Sequence, residues 1–188
     1  MAVGYGMAVV LVHSYTPGRQ DGSIPQTWPA QSRLARTPGK PALVLFMHPK
    51  CPCTRATLSE LNILMARCQT LASVTVLVAT PLGVDAHWTD TDTCKSAAAI
   101  PCVTLRTDDG EREAKLFHAT TSGQVVLYDA DGRLLFNGGI TGSRGHEGDN
   151  AGLLAVIDIL RHNKTSAKET PVYGCALFSS TGLCEVTN

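Results

Sequence analysis

The chain has 188 residues and a formal charge of zero, 16 basic against 16 acidic, with no run of either sign. That balance removes the electrostatic footprint of a nucleic-acid binder, and the length suits one domain with a single core plus arms. Seven cysteines are too unevenly spaced for a small disulfide scaffold, and their odd number leaves at least one unpaired.

The N-terminus, MAVGYGMAVVLVH, holds an apolar run from Ala2 to Val12. At about eleven residues it is shorter than the roughly twenty of a spanning helix, and no Lys or Arg precedes it as in a signal peptide. Residues 1–13 read either as a short apolar arm or as the outer end of a membrane anchor whose beginning would lie upstream, and the second is the reading preferred. Residues 14–40, rich in Pro, Gly and Gln, then read as a linker leading away from a bilayer.

PALVLFMH, Pro41 to His48, is short, apolar and bounded by proline, which predicts a central strand buried on both faces. Thr54 to Cys68 places Leu58, Leu61, Leu64, Met65 and Cys68 at helical spacing, and SVTVLVAT, Ser73 to Thr80, is a second buried strand. The three make a βαβ unit with parallel strands. Within Pro81 to Pro101, DTDTCKSAAA predicts a short helix capped by Thr91 or Asp92. CVTLRTDDG predicts a strand and turn, and GEREAKLFHA a helix. QVVLYDADGRLLFNGGI reads as a hairpin turning at Asp131 and Gly132. Asp149 or Asn150 caps a last helix, Ala151 to His162, whose Leu153, Leu154, Ile157 and Leu160 share one face. Thr165 to Asn188 reads as an irregular tail. The order predicts an α/β sandwich with a mixed sheet, parallel in its first half and ending in an antiparallel hairpin.

Two blocks, VLFMHPKCPCTRATLSEL and FHATTSGQVVLYDADGRLLFNGGITG, resemble the thioredoxin-like family in content and order. The resemblance is nearest to the membrane-anchored disulfide reductases of the TlpA and ResA type and to the thioredoxin-like proteins called RedB. It covers Lys40 to Asn163 and implies a three-layer α/β/α sandwich as the domain, 41–163, followed by a tail, 164–188. The chain departs from the family twice. Cys51 and Cys53 are separated by Pro52 alone instead of by two residues, and Gly123 stands where the family has a cis-proline.

The chemistry begins in the CPC loop. A thiol at the first turn of a helix lies among unpaired N–H groups at the positive end of the helix dipole, which favours thiolate. Lys50 adds charge beside it. Cys51, read as the outer of the two, is then the nucleophile and Cys53 the resolving partner. A disulfide closed over one proline makes a small ring, so this pair is expected to be easily reduced. By resemblance, the loop Thr121, Ser122, Gly123 receives the substrate chain, and the Gly123 N–H, which a proline would lack, is open to substrate backbone or water. The loop Gly142 to Asn150 is expected to lie beside Cys51. Its His146 is then a candidate to move a proton during resolution or to act as a ligand, with Glu147 next to it.

Cys68 reads as a packing residue. Cys94 and Cys102 could pair in an oxidising compartment, though their spacing does not require it. Cys175, in the apolar island TPVYGCALF, and Cys184 read as structural. A tail thiol that reached the CPC loop would make a three-cysteine relay.

The resemblance implies a thiol–disulfide oxidoreductase without a cofactor, acting on protein or small-molecule disulfides in the bacterial periplasm. Its partners would be protein thiols or disulfides and an upstream electron donor or acceptor, with N-terminal membrane anchoring and no nucleic acid. The second reading is a copper-binding or copper-delivery module: Cys51, Cys53 and His48 are similar in kind to the copper sites of SCO-type thioredoxin-fold proteins, and thiolates with imidazole suit Cu(I).

Overall fold

The computed structural model describes residues 23–164 and 166–178. The arm at 1–13, the first part of the linker and Cys184 lie outside the described residues. In chain order the elements are β1 (Ala42–Met47), α1 (Thr54–Cys68), β2 (Ser73–Thr80), α2 (Asp92–Ala99), β3 (Val103–Asp109), α3 (Arg112–Leu116), β4 (Gln124–Tyr128), β5 (Leu134–Gly139) and α4 (Ala151–His162). The sheet order is β3-β2-β1-β4-β5. β1, β2 and β3 run parallel, while β4 is antiparallel to β1 and to β5.

β1 is buried along its whole length because its two faces feed different cores. Leu43, Leu45 and Met47 pack with Leu58, Leu61, Leu64 and Met65 of α1 and with Leu153, Val156 and Ile157 of α4. Val44 and Phe46 point the other way, to Phe117, Tyr128, Ile24, Leu34 and Leu177. A residue buried on either face of a strand must be apolar at every position, which is why ALVLFM shows no alternation.

Both long caps follow from short polar side chains. The Thr91 hydroxyl accepts from the Cys94 N–H at 3.3 Å, and the Asn150 side chain accepts from the Leu153 N–H at 2.8 Å. α3 is shorter than GEREAKLFHA predicts. Glu111 before it and His118 after it both take left-handed backbone, φ 57° and 53°, and the Asp108 carboxylate accepts the Glu113 and Ala114 N–H groups at 2.8 Å each, fixing its start.

Two irregular segments lie against this frame. Residues read as linker are held from Ile24 onward: Ile24 and Leu34 are buried, and the Glu113 carboxylate accepts from the Ser32 hydroxyl at 2.6 Å and the Arg33 N–H at 2.9 Å. After α4 the tail runs beside β5, with Asn137 bridging Glu169 in parallel. It then crosses to the end of the sheet where β1 stops, burying Val172, Cys175 and Leu177 on the way.

Candidate functional site

The site forms where β1 ends and β4 begins. Phe46 is in register with Gln124, so the loop leaving β1, His48 to Cys53, lies beside the loop entering β4, Thr120 to Gly123. The first loop is a tight turn: the Cys51 N–H donates to the His48 carbonyl at 3.1 Å and the Thr54 N–H to the Cys51 carbonyl at 3.2 Å. Cys53 is the N-cap of α1, and both thiols stand at that helix's N-terminal end.

The order of exposure is the reverse of the sequence reading. Cys51 is fully buried, whereas Cys53 is half-buried and is the more accessible of the pair. The cover over Cys51 is the tail. The sulfurs of Cys51 and Cys175 lie 2.9 Å apart and share a hydrogen bond, and the Cys175 N–H also donates to the Cys51 sulfur at 3.4 Å. Backbone donation to Cys51 favours negative charge on that sulfur. The Cys51 thiol is accordingly held far below the usual thiol range. The Cys175 side chain is the largest cause and the Cys53 side chain the next; burial opposes both, and the Cys175 N–H and Thr54 assist. Lys50 is not among these causes, because its ammonium sits over the Trp88 ring, 4.2 Å from the centroid.

The residues expected to receive a substrate chain are occupied by the protein's own chain. Thr121 pairs with Ala176 as an antiparallel bridge. The Ser122 N–H donates to the Cys175 carbonyl and the Leu177 N–H to the Thr120 carbonyl, each at 2.8 Å. The Ser122 hydroxyl accepts from the His48 N–H at 2.9 Å and shares a hydrogen bond with the Thr54 hydroxyl at 2.9 Å, locking the two loops together. The Gly123 N–H, expected to be open, instead donates to the Phe46 carbonyl at 2.8 Å. Gly123 has φ +93°, and a Cβ there would stand 3.0 Å from the Thr57 hydroxyl, so glycine answers a backbone need at this position.

The loop after β5 reaches the site through a residue the sequence reading passed over. Arg144 donates to the Gly174 carbonyl at 2.8 Å, clasping the tail one residue before Cys175. His146 is exposed and is not among the groups acting on Cys51. Glu147 accepts from Ser59 at 3.0 Å on the outside of α1. Beneath that loop lies a fully buried acid, Glu60 of α1, one of whose oxygens accepts the Gly148 N–H at 2.6 Å. Arg144 is the lone cation of GSRGHEGDN, and Glu60 stands beside Leu61 on the buried face of α1; those were the signals available in the sequence.

Among the described residues no group of three or more His, Cys, Asp or Glu side chains could hold a metal ion. His48 is buried against Trp88 with its ring edge-on at 5.3 Å, and its Nδ1 accepts the Lys50 N–H at 3.1 Å. The three-ligand set of Cys51, Cys53 and His48 is therefore not assembled. Cys68 and Cys94 are buried thiols whose pKa is raised by desolvation. Neither Cys94 nor Cys102 is disulfide-bonded.

A parallel βαβ unit extended by an antiparallel hairpin, with helices on both faces and a cysteine turn between the first strand and its helix, defines the thioredoxin-like α/β/α fold. Two solved structures superpose on this fold with TM-scores above 0.5. An uncharacterized conserved protein from Geobacillus kaustophilus superposes with a TM-score of 0.63 at 16% identity, over 87% of this chain and 92% of that one. A hypothetical protein from Sinorhizobium meliloti gives 0.60 at 18%, over 74% and 79%. The exposed lipoprotein thioredoxin of Streptococcus pneumoniae gives 0.45 at 12%, over 65% and 86%. No protein-family model matches the sequence, and no curated protein does.

Proposed function

We propose that the protein is a thiol–disulfide oxidoreductase that exchanges electrons with protein or small-molecule disulfides on the outer side of a bacterial cytoplasmic membrane. The observation that carries this reading is the sulfur cluster at the start of α1: Cys51 lies 2.9 Å from the Cys175 sulfur, with its pKa lowered by the neighbouring thiols, and is placed for sulfur exchange. The burial of Cys51 supports the reverse of the roles first expected of the pair. Cys53, the more accessible thiol, meets the substrate disulfide, and Cys51 attacks the mixed disulfide formed on Cys53, expelling the substrate thiolate. A groove of 680 Å³ between α1 and α2, whose lining begins at Arg55, two residues beyond Cys53, and includes Leu58, Asn62, Ser96, Ile100 and Glu147, offers a place for the substrate.

The location rests on the apolar arm at 1–13 and on the family resemblance; among the described residues no helix is long and apolar enough to cross a membrane. Cell fractionation with and without residues 1–13 tests the anchor, and an unchanged soluble distribution ends that part of the reading. For the activity, the purified protein is exposed to mild oxidised glutathione, alkylated and mass-mapped. Cys51 is expected in a disulfide; Cys51 recovered only as free thiol would overturn the proposal. A copper role would rest on sulfur ligands without His48. Equal Cu(I) uptake by the reduced protein and its Cys51→Ser variant would end that alternative.

A further inference from the structure

We infer that Cys175 is a third redox thiol, and that the working oxidised form of the protein is a Cys51–Cys175 disulfide carried by the tail. This rests on the oxidoreductase reading and names the partner of its central thiolate.

Three independent features converge on the tail. The two sulfurs are already in contact at 2.9 Å across 124 residues of sequence. The tail backbone is fixed on either side of Cys175 by the Ser122 and Leu177 hydrogen bonds and by the Thr121–Ala176 bridge. Gly174 approaches so closely that a Cβ there would collide with the Ser122 carbonyl oxygen, and Arg144 holds the Gly174 carbonyl. Packing alone would be served by any small apolar side chain at 175. A thiol placed against a thiolate is chemistry.

The exchange balances without an outside proton. Cys53 attacks one sulfur of a substrate disulfide; its proton passes through the Cys51 sulfur to the departing substrate thiolate, and a mixed disulfide forms on Cys53. The Cys51 thiolate then attacks the Cys53 sulfur, closing the CPC ring and releasing the second substrate thiolate, which takes the Cys175 proton. The Cys175 thiolate attacks Cys51, forming Cys51–Cys175 and freeing Cys53 as thiolate. One substrate disulfide has become two thiols, Cys51 and Cys175 have together given up two electrons, and the negative charge has moved from Cys51 to Cys53. A small or protein dithiol, entering through Cys53, reverses the sequence and is itself oxidised. Transfer out of the one-residue CPC ring into a bond between distant residues relieves ring strain, which gives the last step its direction.

The test is peptide mapping of the full chain equilibrated in a glutathione redox buffer, trapped with acid and alkylated. Trypsin releases Cys51 and Cys53 together in CPCTR and Cys175 in the peptide beginning at Glu169. The expected product is those two peptides joined, with fragmentation placing the link on Cys51 and Cys175 and with Cys53 alkylated. In a Cys175→Ser variant, which keeps a hydroxyl donor, the joined peptide is lost and the disulfide within CPCTR takes its place. A wild-type protein that oxidises only within CPCTR, with Cys175 alkylated, overturns the relay and leaves the oxidoreductase reading standing. Cys51 free in every condition overturns both.

Discussion

At the scale of single residues, Cys51 is acidic because of what the tail brings to it. Removing the Cys175 side chain as Cys175→Ala deletes the largest influence on that thiol, so the Cys51 pKa is expected to rise toward the ordinary thiol range, read from thiolate absorbance in a pH titration with Cys53 replaced by serine. An unchanged titration would show that helix and backbone alone hold the charge. The same ionisation contributes to stability with a definite sign. The folded pKa lies below the unfolded value of about 8.5, so the contribution is complete above about pH 8.5 and is lost as pH falls toward the depressed folded value. The difference in urea midpoint between the wild type and Cys51→Ala is therefore expected to widen from acid pH up to about 8.5 and then level off. A gap constant over that range would mean the thiol is neutral in the fold.

At the scale of elements, the loop entering β4 shows how a family position can change its purpose. Gly123 combines φ +93° with an N–H bonded to Phe46. Proline can adopt neither, so Gly123→Pro, which would restore the family residue, is expected to destabilise the protein by about 3 kcal/mol or more, measured by urea unfolding. Tolerance of proline there would mean that the loop has a second conformation. β1, α1, β2 and α4 were legible in the sequence because each carries its period or apolar run within a few turns, and Asn150 was legible as a cap for the same local reason. The CPC turn followed from its neighbours. The relative exposure of Cys51 and Cys53 did not, since the tail that covers Cys51 has no periodic pattern. Arg144 showed only as the lone cation of its loop; its partner did not, because the contact is to a backbone carbonyl, which any residue could supply.

At the scale of the molecule, the segments on either side of the domain's regular elements belong to its core. Leu177 and Val172 are fully buried, and Leu177 shares a cluster with Phe46, Phe117 and Ile24. Leu177→Ala is expected to cost about 2–5 kcal/mol and, by loosening the tail, to speed alkylation of Cys51. If stability falls without faster alkylation, some other element shields that thiol. Both ends of the described chain thus meet the second face of the sheet, and the tail continues from there to the sulfur site.

Gly174 carries a consequence for the life of the molecule before it is finished. Its close seat on Ser122 requires the loop entering β4 to be formed where Cys175 meets Cys51, so a chain whose residues through Leu177 are still on the ribosome is expected to hold Cys51 without the Cys175 contact. The Cys51–Cys175 contact is therefore expected only once this segment has docked. Alkylation of Cys51 in chains stalled before residue 177 and in the released full chain is expected to differ in its pH dependence; the same dependence in both would show that the tail does not set it.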